Sequence, residues 1–175
     1  MPPLTALSGE QKMQINRRVV ALTGVLVLGA AFQNARAQTA TQTVRFEVIP
    51  MSRVAVSGSA GPLVVTSATP GAAPTSASMG GSSYGITTNE TNQKITAALD
   101  SPMPTGMTLA IALAAPAGAA SRGSMMLGTS SADVVTGIST VSASALPITY
   151  TLSASSTAPV APGSRTVTFT VAAGQ

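Results

Sequence analysis

The chain has 175 residues, of which 45% are hydrophobic, 3% aromatic and 8% charged, and it contains neither histidine nor cysteine. Lacking imidazole and thiol, it has no ordinary general base near neutral pH, no thiolate nucleophile and no disulfide. Its formal charge of +4 comes from only nine Lys and Arg against five Asp and Glu, too sparse for the cationic stripe that phosphate neutralisation demands, so nucleic acid is not expected as a partner.

At the amino end Lys12, Arg17 and Arg18 precede an apolar run of 14 residues, Val19 to Phe32, and Ala35-Arg36-Ala37 follows. A basic patch, an apolar stretch and small residues at the two positions a signal peptidase reads predict an export signal over residues 1 to 37. Cleavage after Ala37 would leave Gln38 as the first mature residue. A membrane-spanning helix needs about 20 apolar residues, so release is expected rather than anchorage. Arg17-Arg18 also fits a twin-arginine signal, but nothing downstream suggests a cofactor that needs folded export, and the general secretory route is expected. Met13 is an alternative start and would leave a shorter leader.

Beyond the cut, Arg45, Arg53, Lys94, Arg122 and Arg165 face Glu47, Glu90, Asp100 and Asp133, a net charge of +1. Most of the basicity therefore belongs to the leader, and a polybasic attachment to membranes is not expected. The expected location is extracellular, at the cell surface or in the medium.

The mature chain opens on a polar leash, residues 38 to 42. Val44, Phe46 and Val48 then alternate with Thr43, Arg45 and Glu47 before Ile49 and Pro50. This period of two predicts a strand near 43 to 49, with residues 38 to 50 as leash and first strand and 51 to 175 as the main domain. The period recurs at Val54 and Val56, at Tyr84, Ile86 and Thr88, and at Ile95, Ala97 and Leu99. It continues at Met107, Leu109, Ile111 and Leu113, then at Ile148, Tyr150 and Leu152, and last at Val167, Phe169 and Val171. Strands are expected near 43–49, 52–57, 62–67, 82–88, 94–99, 107–113, 124–129, 147–153 and 165–172. Residues 107 to 115, MTLAIALAA, are rich in helix formers, yet large residues at every second position would scatter around a helix, so a strand is expected. Ser67 to Ser83 has no period and is expected as the longest loop, a spacer or a functional loop.

Short alternating strands separated by Pro, Gly and Asn turns about every ten residues predict an all-β fold, an immunoglobulin-like β-sandwich of about eight or nine strands. Its core should be thin, with Phe46, Tyr84, Tyr150 and Phe169 as the only aromatics of the mature chain and the six methionines beyond the cut as fillers.

The chemistry on offer is slight. Lys94 is the one mature lysine; as the base of a Ser/Lys dyad it would need desolvation, and beside the polar turn NETNQ a solvated strand end is the expected role. Glu47 points outward from its strand and Glu90, Asp100 and Asp133 fall in turns, which does not make a glycosidase pair. Asn89, Glu90 and Asn92 offer oxygens to calcium but are equally what a tight turn selects, and the turn is expected. Asn89-Glu90-Thr91 also matches a short glycosylation acceptor. No catalytic residue, cofactor or metal is expected.

The opening TQTVRFEVIP, the Ser/Thr/Ala/Gly-rich body and the closing strand PGSRTVTFTV, residues 162 to 171, resemble secreted bacterial fimbrial subunits and the spore-coat-U-like pilins. That resemblance implies a non-catalytic subunit of a surface filament, pilus or matrix whose partners are copies of itself. Val44, Phe46, Val48 and Ile49 would be the face donated to a neighbour's open sheet edge. The alternative is a monomeric binding module for a glycan or another exported surface protein, using the Ser67 to Ser83 loop or the turn near Asn89.

Overall fold

The computed structural model describes residues 38 to 175. The expected leader, with Ala35 and Ala37 at its cleavage site, lies outside the described residues; Gln38 is exposed. Arg45–Gln175 is one compact unit. Its strands are β1 (Ser52–Gly58), β2 (Ala77–Thr88), β3 (Gln93–Leu99), β4 (Met107–Leu113), β5 (Ala120–Ser121), β6 (Met125–Met126), β7 (Ala132–Ile138), β8 (Val141–Ala154) and β9 (Val167–Ala173). They form two antiparallel sheets, ordered β1-β2-β8-β4-β6 and β5-β7-β3-β9, and the described residues contain no helix. The fold is the all-β sandwich that the two-residue rhythm predicts.

The rhythm works because alternate side chains of a strand face opposite sides. Tyr84 and Ile86 of β2, Ile95, Ala97 and Leu99 of β3, and Leu109, Ile111 and Leu113 of β4 all point between the sheets and are buried. Val134, Val135 and Ile138 of β7 and Ile148 and Tyr150 of β8 complete the core with Leu127. Each large aliphatic fully buried there contributes about 1.5–3 kcal/mol. Residues 107 to 113 are a strand, paired along their whole length with β8 from Met107↔Ala154 to Leu113↔Ile148. Packing between two sheets outweighs the helix propensity of Leu and Ala there.

Several expected boundaries move. No strand forms over 43 to 49, and Phe46 is 93% exposed instead of lying in the core. None forms over 62 to 67 either; that stretch belongs to an irregular connection from 59 to 76, closed by the Ala68↔Pro74 bridge. The loop expected to reach Ser83 ends earlier, since β2 begins at Ala77 and pairs Ala77↔Leu152 and Met79↔Tyr150. Small residues in this part of β2 hide the rhythm, and the bulky partners on β8 supply it. The strand expected at 124 to 129 shrinks to two residues.

β7 escapes a period-two reading because Val134 and Val135 are adjacent and both buried. Irregular register against β3, Ile95↔Val135 followed by Thr96↔Asp133, turns the extra residue inward. β8 runs six residues further back than 147, through Pro147 itself. A bulge opposite Gly85, with Ala145 at φ 55°, interrupts the β2–β8 ladder just before Pro147 and lets a proline sit in an interior strand.

Candidate functional site

The four residues expected as a donated face are bare. Val44 is 72% exposed, Phe46 93%, Val48 75% and Ile49 64%, and residues 45 to 51 belong to no strand. Apolar side chains this exposed at every second position of one segment, together with no ladder for their backbone, leave both a hydrophobic row and main-chain groups unmet.

The root of this arm, by contrast, is held. Asn89 ends the ladder of β1 with β2, whose last pair is Ser52↔Thr88. Its backbone N–H donates to the Met51 carbonyl at 3.2 Å. Its Oδ1 accepts from the Met51 N–H at 2.7 Å and its Nδ2 donates to the Ile49 carbonyl at 2.9 Å. Pro50, between these partners, has no N–H to satisfy and a fixed φ.

The rest of the NETN turn is also used internally. Ser52 Oγ donates to Glu90 Oε2 at 2.7 Å and lies 2.6 Å from Thr88 Oγ1. The Glu90 carbonyl accepts from Thr140 N–H at 2.9 Å. Asn92, at φ 51°, donates its N–H to Ser139 Oγ at 2.9 Å and accepts from Gly174 N–H at 2.6 Å. The turn thus ties the root of the arm, β1, the β7–β8 connection and the end of β9 at one pole of the sandwich. Of the oxygens weighed as calcium ligands, Asn89 Oδ1 and Glu90 Oε2 are engaged in these bonds, as is the amide nitrogen of the glycosylation acceptor.

The other half of the site is an open edge. β9 is the last strand of its sheet and β1 the last of the other, and the two approach each other along one side of the sandwich. β9 pairs with β3 from Gln93↔Ala173 to Leu99↔Val167, and among the described residues no strand lies on its other side. Val167, Phe169 and Val171 of β9 and Val54 of β1 pack against the core yet remain partly exposed. An edge with free backbone groups and a half-covered inward row is what an added strand completes.

The sequence singled out the exposed apolar row and missed the β9 edge, because nothing along the chain marks which strand ends at an edge. The root was missed as well: Asn89 reads as turn chemistry, and its bonds to Ile49 and Met51 span 40 and 38 positions.

The remaining candidates are placed plainly. Lys94 Nζ lies 3.1 Å from Asp133 Oδ1, on neighbouring strands, and is an ion-pair partner. Asp100 accepts from Thr166 N–H at 3.1 Å, which with Ser101 and Arg165 nearby holds its carboxyl below the usual range. Tyr84 donates to the Ala114 carbonyl, and burial pushes its hydroxyl up to about 12. Among the described residues no three acidic side chains gather as a metal site. Among the described residues a shallow depression lies on the outer face of β1, β2 and β8, around Arg53, Ala55, Gly85 and Ser144. No helix among the described residues is long and apolar enough to cross a membrane.

No known protein family, curated protein or solved structure matches this chain.

Proposed function

We propose that this protein is an exported, non-catalytic structural subunit that assembles with copies of itself into a surface filament, pilus or matrix. Residues 43 to 49 of one subunit add as a strand to the open edge of β9 in the next. The observation that carries this reading is the pairing of a bare apolar row, Val44, Phe46 and Val48, with an edge whose own row, Val167, Phe169 and Val171, is half covered.

Connectivity favours a neighbour over self-closure. Ser52, Thr88, Gln93 and Ala173 lie at the same pole, where the NETN turn joins them. For the arm to run antiparallel to β9 of its own chain, Ile49 would have to reach the far end, beside Val167. That end is about 20 Å from Ser52 at ~3.3 Å per strand residue. Three residues of chain, from Ile49 to Ser52, span at most about 11 Å. Antiparallel closure on β9 of the same chain is thus out of reach, and only a parallel arrangement, slightly weaker per residue, is left at that edge. A second copy has no such restriction. Repeating the contact head to tail makes an open chain of subunits.

The test is electron microscopy and size exclusion on exported protein with and without residues 38 to 49. Filaments that disappear on deletion, leaving a folded monomer that caps growth when mixed into the parent, support the reading. Assembly indifferent to the deletion, or a parent that stays monomeric at high concentration, sinks it and favours a monomeric binding module.

A further inference from the structure

We propose that Asn89 is the positioning residue of the arm: its carboxamide aims residues 45 to 49 past the pole of the sandwich and away from their own sheets. This rests on the strand-donation reading above and adds to it the device that selects a neighbour over self-closure.

Three bonds point the same way. The carbonyl of Ile49 and both backbone groups of Met51 face Asn89, at 2.9, 2.7 and 3.2 Å. In a strand, residues two apart turn their backbone groups to the same side. Ile49, Pro50 and Met51 therefore prolong the line of β1 beyond its last pair, Ser52↔Thr88. Beyond the Asn89 N–H bond to the Met51 carbonyl the backbone supplies no further rung, because the chain turns away into NETN. The Asn89 side chain takes the place of the missing rung, offering one acceptor and one donor as a peptide group would.

The residues so held are exposed, Ile49 at 64% and Met51 at 43%, so packing does not fix them. Pro50 narrows the choice further. Its ring sets its own φ, and it biases Ile49 toward extended backbone. For the arm to fold back over its own sheets the chain must reverse at 49 to 51, which breaks the bonds to Asn89. Aiming the arm outward removes the competing parallel closure and spares the next subunit's edge the cost of ordering the root.

The experiment uses the full-length chain, expressed and exported, with Asn89→Ala and Asn89→Asp beside the parent and the deletion of 38 to 49. Since the chain has no cysteine, spin labels at Arg45→Cys and Ser144→Cys report the direction of the arm in dilute monomer. The parent should give a narrow distance distribution and Asn89→Ala one about twofold broader. Filament growth should fall roughly tenfold, the effect of losing about one hydrogen bond's worth of orientation. Asn89→Asp, which keeps the acceptor for Met51 and loses the donor to Ile49, should also slow growth. The folded core should melt as in the parent.

If growth needs the arm but Asn89→Ala matches the parent in growth and distance width, the positioning role is overturned while donation stands. If the parent shows no arm-dependent growth, donation fails and the positioning role falls with it. Should Asn89→Ala unfold, Pro50→Gly loosens the root with Asn89 in place; it should broaden the distribution, and an unchanged width overturns the proposal.

Discussion

Two hydroxyls on the inward face of β2 illustrate how differently a buried polar group can weigh. Tyr84 is 1% exposed and its hydroxyl donates to the Ala114 carbonyl. Ser82 is 5% exposed and its Oγ has no partner. Tyr84→Phe should cost about 1 kcal/mol in urea unfolding, because the carbonyl is left without its donor, whereas Ser82→Ala should be neutral or stabilising by up to ~1 kcal/mol. Burial also makes Tyr84 a source of alkaline instability. The unfolded phenol ionises near 10.0 and the folded one near about 12, so between these values the unfolded chain loses the proton first. The contribution is complete below pH 10, declines above it at up to ~1.4 kcal/mol per pH unit, and is exhausted near 12. Tyr150, raised by burial too, adds in the same direction. Stability measured from pH 9 to 12 should fall in the parent and fall less steeply in Tyr84→Phe. Asp100 acts at the opposite limb: its lowered carboxyl supports the fold above its ordinary value and loses that support as pH falls through the folded one. Asp100→Asn should accordingly flatten the acid limb.

At the scale of elements, what was legible depended on whether burial and sequence rhythm coincide. β4 was fully legible, since Leu109, Ile111 and Leu113 alternate and are all buried. Ile111→Ala, in its middle at 1% exposure, should cost about 2–5 kcal/mol in chemical denaturation. β7 was not legible, because its irregular register buries adjacent valines. Neither was the first half of β8, where Pro147 reads as a stop although a bulge at Ser144 and Ala145, opposite Gly85, precedes it in the same strand. The pair between β3 and β7 shows the limits of surface charge. Lys94 and Asp133 keep side-chain exposures of 20% and 37%, so Lys94→Ala should cost only about 0.5 kcal/mol, and less at high salt.

For the whole molecule, the proposed donation would separate folding from assembly. Phe46 is so exposed that Phe46→Asp should change monomer stability by less than about 0.5 kcal/mol. In an assembled filament the same charge would sit against Val167, Phe169 and Val171 of a neighbour, at a cost of several kcal/mol, and filaments should be absent by electron microscopy. A monomer unfolded by Phe46→Asp would show instead that the segment belongs to its own core.

The sequence by itself determined the sandwich, the lack of histidine and cysteine, and the apolar row at Val44, Phe46 and Val48. Each of these is a local property, carried by residue type or by spacing of two along the chain. Only the tertiary structure decided that this row stays bare, that β9 stands at an edge, and that Asn89 holds the root of the arm. Those facts depend on which strands lie side by side, and pairing brings together residues tens of positions apart. Ile49 and Asn89 meet through a bond across 40 positions, set by the register of β1 on β2, and no local pattern reports that register.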